Sequence, residues 1–219
     1  MEETVNGTVT WTTHDVAGVI LILSVIFVPG ASLYMLVKDK HGPVIFGQPP
    51  HEWLRLVHEH PGPWRWATIS FIGAMLVTVV GLDLLAGLLR GAGDPGFSDA
   101  GLLVFAFGAV LWVICLAARL TVDPWAGQEL AKKGAIPDAY MPLSRWNGSL
   151  FVIFSILAFS GVAAFGGAII ATDLLPQWLG WATVIYSLGG LALHAITRDS
   201  LPAMHHLMPL VIGIVLLLS

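Results

Sequence analysis

Six apolar stretches dominate the chain, and together they decide what it can fold into. A helix needs about 20 consecutive apolar residues to cross a hydrocarbon core roughly 30 Å thick. Stretches of that kind run over 16–37, 66–89, 100–118, 149–172, 178–197 and 201–219. The third is bracketed by Asp99 and Arg119. The sixth is the most interrupted, because Pro202, His205, His206 and Pro209 fall near its start, and a re-entrant or interfacial segment is the alternative there. The expected fold is an all-α membrane protein with six transmembrane helices, a single polytopic domain over 1–219. Composition agrees: 56% of residues are hydrophobic and 11% charged, against roughly 25% charged in soluble domains. So little charge cannot cover a surface facing water, and the expected surroundings are membrane lipid.

The cations orient the spans. Lys38, Lys40, Arg55 and Arg65 lie between spans one and two; Arg119, Lys132, Lys133 and Arg145 between three and four; Arg198 between five and six. Only Arg90 lies on the other side. Cytoplasmic loops are enriched in Lys and Arg, so both termini are expected to be extracytoplasmic in a multi-pass protein of the cell membrane. The N-terminus MEETVNGTVTWTTHD lacks the basic start of a secretory signal, so the first helix is expected to stay. A net charge of −4 argues against nucleic acid as a partner. One cysteine, Cys115, excludes an intrachain disulfide. No GxxxxGK[ST] loop and no Gly-x-Ser-x-Gly elbow occurs.

An 80-residue shift aligns Gly47-Gln48 with Gly127-Gln128, Arg65-Trp66 with Arg145-Trp146, Phe71 with Phe151, Gly81 with Gly161 and Gly87 with Gly167. That register suggests a parallel duplication of helices 1–2 and 3–4. The alternative is that Arg-Trp only marks a membrane entry, with Arg among headgroups and Trp in the aromatic belt.

Three constellations carry candidate chemistry. In GQPPHEWLRLVHEHPGPWRW, a helix from about Pro50 to His60 would put His51 and His58 on one face, with His60, Glu52 and Glu59 nearby as metal ligands. The competing reading is an interfacial helix with Trp53, Leu54, Leu56 and Val57 toward lipid. His194 closes span five, and His205 and His206 open span six. A tight hairpin brings them to similar depth, as a cofactor site for metal, haem or quinone. Adjacent residues point about 100° apart, so one of the pair faces His194 more easily. Asp83 is the one acid well inside a span, with Arg90 two turns on as its nearest cation.

The segments PWRWATISFIGAMLVTVVGLDLLAG and LSRWNGSLFVIFSILAFSGVAAFGG resemble the first helices of cytochrome b-type membrane subunits of respiratory oxidoreductases. Arg65 and Arg145 match the arginine that opens such helices; Gly81 and Ser160-Gly161 match the small pair that closes them. The haem-ligand histidine of that pattern is absent from both segments, which leaves His194 with His205 or His206 as axial ligands. With no nucleotide motif, no convincing triad and long cytoplasmic loops suited to a partner, the leading expectation is a membrane anchor or accessory subunit of a larger, redox-linked complex, with other membrane subunits or further copies of itself as partners. Two alternatives stand beside it. One is a small-solute transporter or channel; the other is a membrane-embedded metal-dependent hydrolase built on His194, His205 and Asp199.

Overall fold

The computed structural model describes residues 11–38, 49–197 and 201–219, with side chains in the first segment described as far as Ile26. Seven helices make up the described chain, and no strand occurs among those residues. They are α1 (Thr13–Lys38), α2 (Pro50–Glu59), α3 (Pro61–Gly91), α4 (Phe97–Lys133), α5 (Tyr140–Ala171), α6 (Gln177–Thr197) and α7 (Met204–Leu218). Four of them, α3 to α6, are long and apolar enough to cross a membrane. Large apolar side chains such as Leu76, Leu103, Phe107 and Ile185 stand exposed on their outer faces, as expected of a bundle surrounded by lipid. The long apolar helices mark this chain as a membrane protein.

The third helix departs from the sequence expectation. The apolar stretch stops at Ala118, but α4 continues to Lys133 as a 37-residue helix. At 1.5 Å per residue that is about 55 Å, well beyond the roughly 30 Å core. Residues 120–148, expected as a long loop, are therefore mostly helix, broken only at 134–139. Gly134, at φ 71°, ends α4, where an L-residue would be strained. The last helix is shorter than expected: α7 has 15 residues, about 22 Å of rise.

Neighbours in sequence are neighbours in space along α3–α4–α5–α6, while α1 packs on both α3 and α7, and α2 rests on α4. Glycine sets the closest approaches. A Cβ on Gly161 would lie 2.7 Å from the Gly101 carbonyl oxygen, joining α4 to α5. A Cβ on Gly166 would lie 2.8 Å from the Gly180 carbonyl, joining α5 to α6. Small residues of this kind let membrane helices touch backbone to backbone.

The duplication has a mixed outcome. Gly47 and Gln48 lie outside the described residues. In the 80-residue register, the separate helix α2 falls on 130–139, where α4 ends and turns. The two polar segments are thus not equivalent. Gly127 has a local task instead: a Cβ there would lie 2.7 Å from the Leu54 carbonyl, so it seats α2 on α4. In the spans, the same register carries 61–91 onto 141–171, close to the bounds of α5.

Candidate functional site

At the α2 end of the bundle, large aromatic side chains gather at the helix contacts. The amphipathic α2 buries Leu54 and Val57. Leu54 packs with Ala126, Leu130 and Tyr140; Val57 packs with Trp64 and Ala67. Above it, Trp53 and Trp64 meet edge to face at 4.4 Å. The Arg119 guanidinium lies over both rings, 4.5 Å from Trp64 and 5.3 Å from Trp53. The Trp64 indole donates to the Arg119 carbonyl at 2.9 Å. Cation–π contact and hydrogen bond together clamp α2 and α3 to the part of α4 that runs past its apolar stretch. One turn on, buried Asp123 accepts from the Tyr140 hydroxyl at 3.3 Å and from the Trp53 indole.

These groups border a half-open chamber of about 410 Å³. Its walls are aromatic: Trp53, Trp112, Tyr140 and Phe151. Its polar groups are Arg119, Asp123, Ser144 and Asn147. Trp112 stacks on Phe154 at 4.9 Å and contacts Phe151 at 5.3 Å and Phe71 at 6.4 Å. That stack fixes the inner wall. The Asn147 side-chain oxygen is buried and has no protein partner. Such a volume lies within the range of small-molecule sites, roughly 300–1,000 Å³.

Behind Phe151 stand the histidines of α6 and α7. The Phe151 ring lies 6.1 Å from His194 and 6.4 Å from His205, so one side chain touches both. His205 is also held between Phe154 at 4.6 Å and Phe159 at 4.7 Å. Its Nδ1 bonds the Pro202 carbonyl at 3.2 Å. A carbonyl can only accept, so Nδ1 carries the proton and Nε2 presents a bare lone pair. His206 turns the other way and bonds Thr78 of α3 at 2.9 Å. The consecutive histidines therefore divide: His205 shares the Phe151 ring with His194, and His206 bonds Thr78 of α3. The exposures are 3% for His194, 2% for His205 and 1% for His206. Both ring nitrogens of His194, and the Nε2 of His205 and of His206, have no protein partner. A buried polar atom left so costs about 1–3 kcal/mol. One device ties α6 to the start of α7: the Tyr186 hydroxyl donates to the Met204 carbonyl at 2.7 Å.

The other sequence candidates sit apart from this chamber. The α2 helix forms where expected, but His51 and His58 are exposed on it, beside a shallow hollow of about 170 Å³ against Gly127 and Gly134. Two turns separate them, about 10 Å on a straight helix. His60 caps the end of α2, and Glu59 is paired with Arg55 at 3.5 Å. Among the described residues no three His, Cys, Asp or Glu are grouped to hold a metal ion. The structure thus lends no support to metal at His51, His58 and His60, or at His194, His205 and His206. Asp199 lies outside the described residues. Arg65 and Arg145 are exposed beside exposed Trp66 and Trp146, as in an interfacial belt. Arg90 does not turn to Asp83: it pairs with Asp99 at 3.2 Å, across the turn into α4. Asp83 stands exposed on the outer face of α3.

Sequence reading missed Arg119, Asp123, Tyr140, Trp112 and Asn147. The available signal was Arg119 and Asp123 at i, i+4 just beyond an apolar stretch, which places both on one face only if the helix continues. Comparison of the chain with protein families, characterised proteins and solved structures yields no match.

Proposed function

We propose that this chain is a six-span anchor or accessory subunit of a redox-linked membrane complex, and that it binds a quinone in the chamber at its α2 end. That end is cytoplasmic in this reading, and both termini are extracytoplasmic. Nine of the ten Lys and Arg residues fall, in sequence, between spans one and two, three and four, or five and six, which this reading places on that side. The spans α1 with α3 and α4 with α5 descend from one duplicated pair. Supporting this, Gly81 faces Leu21 as Gly161 faces Gly101, contacts that are 80 residues apart.

The observation that carries the quinone is the chamber's mixture of groups. A quinone has a flat ring, carbonyls that accept hydrogen bonds, and, once reduced, hydroxyls that donate them. The chamber offers aromatic walls for the ring. Arg119 and Asp123 lie one turn apart, so the opposite charges balance and favour a neutral guest over an anion. His194 has both ring nitrogens without a protein partner, and Asn147 Oδ1 and His205 Nε2 are acceptors without one. A swing of the Phe151 ring would bring a bound head within reach of both imidazoles. The far end of α5 and α6, closed at Gly166 and Gly180, favours a binding subunit over a through-path for solute.

The test is titration of the purified chain with short-tailed benzoquinones and naphthoquinones, read by quenching of tryptophan fluorescence. Saturable quenching that Asn147→Leu weakens tenfold or more is expected. Absence of saturable quenching with either class would sink the proposal, and flux of a defined solute into liposomes would favour the transporter instead.

A further inference from the structure

We infer that the face of α3 carrying Asp83 docks a transmembrane helix of a partner subunit, and that this helix presents an arginine or lysine to the carboxylate. The inference rests on the membrane-subunit reading above but not on the quinone chamber.

Gly73, Leu76, Val80, Asp83 and Gly87 recur at helical spacing along one side of α3. Leu76 and Val80 are 53% and 52% exposed, and Asp83 and Gly87 are exposed with them. Among the described residues no atom comes within 4 Å of a Cβ built on Gly73, and only the Arg90 side chain, at 4.0 Å, approaches one on Gly87. Among the described residues nothing covers this face, and it is notched where a second helix backbone can come close.

Asp83 gives this apolar strip its chemistry. It lies seventeen residues past Trp66, about 25 Å, and seven before Arg90, about 10 Å. With Trp66 at one boundary and the Arg90–Asp99 pair at the other, the carboxylate falls within the outer part of the hydrocarbon. Ionisable groups at that depth normally meet a partner inside the protein. The nearby acids have one: Asp99 takes Arg90, and Asp94 takes Ser98. Among the described residues no cation lies within 4 Å of Asp83, and its one sequence neighbour of opposite charge is already engaged. A second copy of this chain is a poor occupant. A two-fold contact on this face would set Asp83 against Asp83, carboxylate on carboxylate. A cationic helix satisfies both the charge and the notch.

The experiment uses the full chain in its native membrane. A benzophenone amino acid replaces Leu76 or Val80, with Ile185 on the exposed face of α6 as control. Irradiation is expected to trap one membrane protein from 76 and 80 and none from 185. Its trapped span should carry Arg or Lys, and Asp83→Leu should cut the yield tenfold or more without lowering the melting temperature of the purified chain. Asp83→Lys combined with an acid at the partner's cation should restore the yield. Trapping of lipid alone, trapping of this same chain, or a yield indifferent to Asp83→Leu would overturn the inference. The last of these would leave the subunit reading standing; a chain that purifies as a clean homo-oligomer and traps no protein at any position would sink both.

Discussion

The two ends of the bundle are built on opposite principles. Away from α2, α4, α5 and α6 meet through Gly101, Gly161, Gly166 and Gly180, with backbone against backbone and no room for one more methyl. At the α2 end the same α4 and α5 carry the stacked rings of Trp112, Phe151 and Phe154, and a chamber opens beside them. Glycine closes one end and stacked aromatics wedge the other. The contrast teaches where a membrane bundle can hold a guest: the space is bought by side-chain volume at one level and sealed by its absence at another. Removing volume should therefore harm the α2 end, and adding it should harm the far end.

The largest effect is expected from Trp112→Ala. The indole is 2% exposed and contacts Phe71, Phe151 and Phe154. Truncation of a buried tryptophan costs about 3–5 kcal/mol. Thermal unfolding in mild detergent should show a clear drop. A melting curve matching the wild type would mean that the aromatic stack does not hold the chamber open.

Next comes the far end. Gly161→Ala forces a methyl to within 2.7 Å of the Gly101 carbonyl oxygen and 2.9 Å of the Phe105 nitrogen. Backbone atoms cannot rotate aside, so overpacking should cost about 1–3 kcal/mol. Gly189 is the matched control on α6, since among the described residues nothing lies within 4 Å of its Cβ position. Gly189→Ala should be neutral or slightly stabilising, because alanine is the better helix former. Equal losses at both positions would erase the distinction between sealed and open faces.

How much of this contrast the sequence displays differs by element. The long apolar stretches announce α3 to α6, because lipid leaves a helix no other way to satisfy its backbone. Pro50 to Glu59 announces α2 through its alternation of Leu54 and Val57 with charged neighbours. That His194 and His205 both lie against Phe151 is consistent with the short connection between α6 and α7. Three things are not legible. The continuation of α4 past Arg119 is hidden because the apolar signal ends while the helix does not, held instead by α2 packing on Gly127. That continuation is what carries Asp123 to Tyr140. Arg90 looks equally able to reach Asp83 or Asp99, and only the turn at Gly93 and Gly96, both at positive φ, decides for Asp99. The setting of His51 and His58, exposed beside a hollow against Gly127, is the third, because it depends on how α2 rests on α4.

A smaller effect, of opposite sign, tests the polar character of the α2 end. His194 is buried with both ring nitrogens unpartnered by protein. Replacing an unsatisfied polar group by an apolar one of similar size relieves its desolvation, so His194→Leu should raise the stability of the empty chain by about 1 kcal/mol. The same substitution should weaken quinone quenching. A loss of stability would show that the imidazole has a structural partner, and would move the site away from α6.

The smallest effect lies at the far end, in the turn that carries Asp94. Partial burial works against its ionisation, but the Ser98 hydroxyl at 2.6 Å and the Ser98 and Phe97 backbone N–H groups outweigh this and hold its carboxyl below the usual carboxylate value. It thus caps the start of α4, and Asp94→Ala should cost about 1 kcal/mol at neutral pH. The sign with pH follows from linkage. A carboxylate whose folded value is depressed stabilises the fold above its unfolded value and loses that contribution as pH falls through the folded one. Wild type and Asp94→Ala should therefore melt apart at about pH 7 and converge toward about pH 3, while Asp94→Asn, which can cap without charge, should lie between them. Melting curves in a non-ionic detergent across that range decide it. Wild-type and alanine curves that stay parallel into acid would take the cap away from the Asp94 charge, leaving the far end held by its glycine contacts alone.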